Sequence, residues 1–304
     1  MIQPTAQGEV PRLEKCCNER RDPSWRVLVM LVVSVALADA QPRRIVSLVP
    51  SVTEMLFAIG AGPQVVGVSS FDKVPAEVET RVRVGALLDP DVERILSLKP
   101  DLVVTYGSQD TLRKQLFRAG IQTYVYRHGG LADTFATLRD LAPLTGDDRA
   151  EQLARALEAR INAIRARVKG RPAPRTLLVF GREPGAIRQV YASGGTGFLH
   201  DMLEAAGGAN VFADVARESV QASTELLLTR RPEAILEIRT REMNPGTVDA
   251  ERRAWQALPS IPAVRANRIL VLSGDHFVVP GPRVADAVEA VARALHPEAF
   301  ARPQ

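Results

Sequence analysis

The chain has 304 residues, 46% of them hydrophobic and 24% charged, with a formal net charge of +4. That much length and apolar content suffices for more than one α/β unit with its own core and excludes a disordered chain. The basic excess comes from scattered Arg, with no Lys/Arg block and no aromatic-interleaved basic strip, so it reads as solvated surface and nucleic acid is not an expected partner.

At the N-terminus Arg20, Arg21 and Arg26 precede an apolar run from Val27 to Ala38, followed by Asp39-Ala40-Gln41. Basic residues, a short apolar stretch and Ala-x-Ala spacing are the layout of a secretory signal peptide, and the run falls short of the roughly 20 residues a spanning helix needs. Residues 1–40 are read as a leader cleaved after Ala40 or Ala38, with an uncleaved membrane anchor as the alternative. Both cysteines, Cys16 and Cys17, precede the run. The mature chain is therefore expected to lack cysteine, which excludes a disulfide, a thiolate metal site and a Cys nucleophile even in an oxidising compartment.

Beyond the leader the pattern alternates. Residues 44–49 read as a buried strand, and Pro50-Ser51-Val-Thr-Glu54 opens a helix with a Ser-x-x-Glu capping box, Ser51 accepting the Glu54 N–H, closed by Gly60 and Gly62. A strand at 65–69, a helix at 91–98, a strand at 101–106, a helix ending at Gly120 and a strand at 121–126 complete a first lobe, 41–146. This alternation predicts a parallel sheet covered by helices. From 147 to about 169 the sequence is rich in Ala, Arg, Glu and Leu, without Gly or Pro, and predicts one uninterrupted helix of about six turns. It is read as a connecting helix, 147–170, the alternative being a surface helix of the first lobe. The Pro/Gly/Arg cluster 170–175 ends it, and a strand at 176–180 begins a second lobe, 171–304, with the same alternation.

A repeated phrase supports two similar lobes. Glu93-Arg-Ile-Leu-Ser-Leu-Lys-Pro-Asp-Leu-Val-Val104 returns as Glu225-Leu-Leu-Leu-Thr-Arg-Arg-Pro-Glu-Ala-Ile-Leu236, each copy reading as helix, Pro stop and strand. Upstream, Glu54-Met-Leu-Phe-Ala-Ile-Gly60 is echoed by Asp201-Met-Leu-Glu-Ala-Ala-Gly207. The repeat unit is lobe-sized, and two such lobes imply a cleft between them.

Open α/β sheets bind ligands beyond the carboxyl ends of their strands. That rule selects Ser51, Phe71, Leu87 and Tyr106 in the first lobe, and Arg182, Arg239, Asp275, His276, Phe277 and Arg283 in the second. His128 and His200 read as structural or surface residues. No Gly-x-Ser-x-Gly elbow, His-Glu-x-x-His or Walker loop is present. Ser193-Gly-Gly-Thr-Gly197 reads as a turn shaping the cleft, although an anion could sit at the following helix N-terminus. An enzyme, such as an exported hydrolase using Asp275 and His276, is disfavoured.

The mature chain resembles the substrate-binding proteins of ABC importers for vitamin B12, haem and ferric siderophores. The resemblance is carried by Arg44-Ile-Val-Ser-Leu-Val-Pro-Ser-Val-Thr-Glu54, by Val66-Gly-Val-Ser-Ser-Phe71, by the segment from Asp91 to Val103, and by Ala205-Ala-Gly-Gly-Ala-Asn-Val-Phe212. It implies an α/β fold of two Rossmann-like lobes joined by a single long helix, the class III periplasmic binding protein architecture, with ligand in the cleft and little closure. It also implies that Phe71 and Tyr106 pack on a corrin and that Asp275 with Arg283 forms a polar pair on the opposite wall. Leu87 stands where B12 binders carry Trp, and Gly85-Ala-Leu-Leu88 offers no Tyr or His for haem iron, although Tyr106 or His276 could reach one. Arg182, Arg239 and Arg283 suit the anionic groups of ferric siderophores. The expected ligand is a corrinoid or a ferric siderophore, then haem, with a bare metal ion last because no clustered His/Asp/Glu set is visible. No cofactor is expected.

In that family a glutamate on each lobe docks onto arginines of the membrane permease, and the matching positions are Glu93 and Glu225. Each lies two residues after a possible N-cap, Asp91 or Ser223, where a carboxylate is also favoured by the helix dipole. The expected partners are thus a permease and a small metal chelate, and the protein is expected to be a monomer. A periplasmic ligand-sensing module is the alternative.

Overall fold

The computed structural model describes residues 44–145, 148–241 and 243–301. The leader, both cysteines and the expected start of the long helix at Asp147 lie outside the described residues. In the first lobe β1 (Ile45–Ser47) leads into α1 (Pro50–Ala58), followed by β2 (Val65–Val68), β3 (Val82–Arg83), α2 (Val92–Ser97), β4 (Leu102–Tyr106), α3 (Asp110–Arg118), β5 (Gln122–Tyr126) and α4 (Leu131–Thr145). The strands run parallel in the order β3-β2-β1-β4-β5. Leu102, Val103 and Val104 are all fully buried, the continuous apolar run that a parallel strand covered on both faces requires.

The expected capping box does not form. Val49 is the N-cap of α1, without a side-chain cap, and Pro50 takes the first turn, where its missing N–H is no loss. Ser51 is thereby moved inside the helix and buried. Gly60 closes the helix end with φ +82°, a left-handed conformation that Gly adopts without a Cβ penalty.

Helix α5 (Arg149–Val168) buries Ala150, Ala154, Leu157, Ile161, Ile164 and Val168, a single stripe at helical spacing. It packs on α4 from the first lobe and on two helices of the second, α6 (Phe198–Ala205) and α10 (Val284–Leu295). One apolar cluster runs through it, joining Ile45 and Met55 of the first lobe to Leu178, Leu236 and Val288 of the second.

The second lobe comprises β6 (Arg175–Gly181), β7 (Val190–Ser193), β8 (Ala209–Asn210), β9 (Ser219–Ala222), α7 (Thr224–Arg230), β10 (Ala234–Arg239), α8 (Pro245–Ala254), α9 (Pro262–Arg265) and β11 (Ile269–Ser273), with α6 and α10. Its sheet has the order β11-β10-β6-β7-β9, with β8 also paired to β6. Strands β6, β8, β10 and β11 pair in parallel, but β7 runs antiparallel to both of its neighbours, β6 and β9, which corrects the expectation of one uniform alternation. The β6–β7 connection is a turn closed by the Glu183 N–H donating to the Arg188 carbonyl at 3.0 Å, and it holds no crossover helix of the kind a parallel return needs.

The repeat maps onto structure element by element. Its first copy is α2, Pro100 and β4; its second is α7, Pro232 and β10. Before each Pro the helix is closed by a non-glycine residue with positive φ, Lys99 at 47° and Arg231 at 50°, so the backbone repeats as well as the sequence. By the same correspondence β1 matches β6, β5 matches β11, α1 matches α6 and α4 matches α10.

Candidate functional site

The carboxyl ends of β4 and β5, the start of α1 and the turn after β11 surround a cavity of about 380 Å³. The first lobe contributes Pro50, Ser51, Leu87, Tyr106, Tyr126 and His128, and the second contributes Val278, Val279 and Pro280. A second depression of about 250 Å³ shares His128 and Val278 and continues the cleft past Thr196, Phe198 and Glu218. The expected residues Ser51, Leu87 and Tyr106 are therefore brought together in one cavity.

Leu87 is held in place by its backbone. Gln109, itself buried, donates from Nε2 to the Leu87 carbonyl at 3.0 Å and accepts the Tyr106 N–H at 2.9 Å. The Ser70 N–H donates to the Gly85 carbonyl at 2.8 Å, tying the Phe71 loop to the same turn. Phe71 is 68% exposed and Leu88 is 93% exposed. Together with Leu87 they make an apolar lip on the first lobe, an exposed grouping of the kind found at binding surfaces.

Tyr126 and His128 were not among the expected contacts, although the strand-end rule applied to β5 would have reached them. The Tyr106 and Tyr126 rings meet edge to face at 6.0 Å, and the Tyr126 hydroxyl lies 3.4 Å from His128 Nδ1. Across the cleft His128 Nε2 is 3.6 Å from a Glu218 carboxylate oxygen. Burial pushes the Tyr106 phenol up to about 12, and the Tyr124 phenol on the same sheet likewise to about 12. The folded chain keeps these protons after an unfolded chain, titrating near 10, has released them. Stability is expected to fall as pH rises from about 10 to 12, and Tyr106→Phe should flatten that fall when melting is followed by circular dichroism.

Several expected contacts are corrected. The Arg182 side chain is 0% exposed. Its Nε and Nη2 each donate to Glu237 Oε2 at 3.1 Å, and Nη2 also pairs with the Glu251 carboxylate. Arg239 donates to Glu251 at 2.7 Å and pairs with Glu237. The Trp255 indole N–H donates to Glu237 at 2.8 Å. These two arginines and two glutamates form a neutral cluster inside the second lobe and do not present cations to the cleft. Phe277 is 2% exposed and belongs to the core, so it is no cleft contact. His276 stacks on it at 4.1 Å between centroids and does not line the cavity. Asp275 and Arg283 do pair, at 2.7 Å, but Arg283 is also gripped by Glu54 at 2.6 and 2.9 Å.

On the outer helices, the Asp91 side chain accepts the Arg94 N–H at 3.0 Å and Ser223 accepts the Leu226 N–H at 3.2 Å. Capping is thus supplied by Asp91 and Ser223, and both Glu93 and Glu225 are exposed. One turn further, on the same face of each helix, Leu96 and Leu228 are 38% and 39% exposed.

The chain is similar in sequence and in fold to known proteins. The vitamin B12-binding protein of Salmonella typhimurium is 31% identical over 274 residues, covering 89% of this chain and 97% of its own. An uncharacterised ABC transporter substrate-binding lipoprotein of Bacillus subtilis is 30% identical, over 86% of this chain and 82% of its own. Among solved structures, a periplasmic vitamin B12-binding protein of Vibrio cholerae superposes with a TM-score of 0.71 at 25% identity, over 86% of this chain and 99% of that one. A periplasmic haem-binding protein of Pseudomonas aeruginosa gives a TM-score of 0.72 at 26% identity, over 86% and 95%. The family model described as periplasmic binding protein matches residues 45–275. With two repeated lobes meeting at a cleft and a match that spans both, the chain belongs to the periplasmic binding protein family.

Proposed function

We propose that this protein is the exported substrate-binding component of an ABC importer, that it captures a corrinoid in the interlobe cleft, and that it performs no chemistry on it. The observation that carries the choice of ligand is the character of the cleft: walls of Pro, Leu, Val and Tyr, and an exposed lip of Phe71, Leu87 and Leu88. Such apolar surfaces suit the flat face of a macrocycle. The three arginines that favoured an anionic siderophore, Arg182, Arg239 and Arg283, are each committed to carboxylates of the protein, and this moves ferric siderophores below corrinoids. The Salmonella relative, a vitamin B12-binding protein that aligns over most of both chains, supports the same order. Haem is the second reading, favoured by the grouping of Tyr106, Tyr126 and His128, whose phenol and imidazole groups are of the types that ligate haem iron.

The leader read at residues 1–40 fits export. Glu93 and Glu225, each with a leucine one turn along, would then meet two equivalent surfaces of a permease. The deciding experiment is calorimetric titration of residues 41–304 with cyanocobalamin, haemin and a set of ferric siderophores. One-to-one binding of cyanocobalamin alone is expected. Binding of haemin alone, with an absorbance change lost in Tyr106→Phe or His128→Ala, would move the assignment to haem, and failure of all three would sink the chelate reading.

A further inference from the structure

The upstream echo, Glu54-Met-Leu against Asp201-Met-Leu, is used by neither the cleft walls nor the docking helices. Its two carboxylates perform the same act from opposite sides. Glu54, on α1 of the first lobe, accepts from Arg283 Nε at 2.9 Å and Nη2 at 2.6 Å, and Arg283 is the N-cap of α10 in the second lobe. Asp201, on α6 of the second lobe, accepts the backbone N–H of Leu131 at 2.9 Å, the first residue of α4 in the first lobe. Since α1 matches α6 and α10 matches α4, each lobe grips the equivalent helix start of the other, the reciprocity that a two-fold relation between like units produces.

A glycine makes room at both contacts. A Cβ on Gly130 would overlap Asp201 Oδ2, and one on Gly281 would lie 3.3 Å from Glu54 Oε2. Neither glycine has a positive φ, so what each position supplies is space for the incoming carboxylate.

We infer that Glu54 and Asp201 are paired cross-braces that fix the separation of the lobes and hold the cleft at its observed width. The apolar cluster shared through α5 also joins the lobes, but apolar attraction is non-directional and tolerates sliding. Hydrogen-bonded carboxylates do not, because their strength falls steeply with distance and angle. Each brace has one end in either lobe, so any rigid-body change in lobe spacing strains both. Opening the first would also leave Glu54, 7% exposed, as a buried carboxylate without its bidentate partner, which is strongly unfavourable.

The test is a distance measurement that needs no ligand, so it fails or succeeds independently of the corrinoid assignment. Residues 41–304 contain no native cysteine, and K114C with R253C places one spin label on the exposed surface of each lobe. Dipolar electron resonance on this parent is expected to give one narrow distance. E54A/D201A should add a second, longer population, and G130A, which displaces one brace by bulk while Glu54 stays paired, should broaden the distribution with the fold intact by circular dichroism. If the double variant fails to fold, G130A alone decides. A distribution identical to the parent's in the folded variants would overturn the inference.

Discussion

Replacing Arg182 by Met should destabilise the protein by roughly 3–5 kcal/mol, the range observed when one partner of a buried ion pair is removed, and leave ligand affinity within error of the parent. The guanidinium sits at 0% side-chain exposure between Glu237 and Glu251, which are themselves 1% and 8% exposed. It also donates to the Glu183 and Ala186 carbonyls at 3.0 and 3.1 Å and lies 5.7 Å from the Trp255 ring centroid. Met fills most of the volume but leaves two carboxylates facing Arg239 alone. The compound change R182M/E237Q restores charge neutrality and is expected to recover part of the loss. Urea unfolding measures the stability, and calorimetry with cyanocobalamin, the proposed ligand, measures the affinity. A cleft residue would behave oppositely, losing affinity with little change in the unfolding midpoint.

The misassignment of Arg182 and Arg239 shows what a strand-end rule contains. It places a residue along the strand correctly, and both arginines are at strand ends. It does not say which face the side chain takes or what meets it there. Glu237 is visible two residues before Arg239, on the same face of β10 by the period of a strand. Glu251 comes from α8, and no spacing in the sequence connects that helix to Arg182. Elements with strong local signals were legible: the α2–β4 and α7–β10 units, the long helix, and the Asp91 and Ser223 caps. The capping box at Ser51 failed because Pro50 competes for the first turn and shifts the boundary toward Val49. The β7–β9 pair was missed because a short turn-linked strand has no helix to announce it. In the cleft, Tyr106 was found and Tyr126 was not, although the same rule covers both. The echo of Glu54 in Asp201 was visible, but their partners lie 229 and 70 residues away, and only the fold brings them together.

Charge reversal at both proposed docking positions, E93K/E225K, should reduce uptake of the proposed chelate by cells carrying the cognate importer and leave chelate affinity unchanged. The carboxylates are exposed and sit on the second residue of α2 and α7, away from the cleft-lining set. An exposed ion pair contributes about 0.2 to 1 kcal/mol, and reversal replaces each attraction by a repulsion of similar size. Over two sites the docking free energy changes by about 1 to 4 kcal/mol, or from several-fold to several-hundred-fold in affinity. Because such charges act mainly on encounter, the loss should appear in the association rate and shrink as salt rises. The reversal also places a cation at a helix N-terminus, opposing the dipole by about 0.3 to 1 kcal/mol per site. E93Q/E225Q removes the attraction without that penalty and serves as the control, with the Asp91 and Ser223 caps intact in both. If the Gln pair transports normally while the Lys pair fails, the glutamates matter only as the absence of positive charge. If chelate affinity falls together with uptake, the docking role is wrong and the two helices belong to the binding cleft.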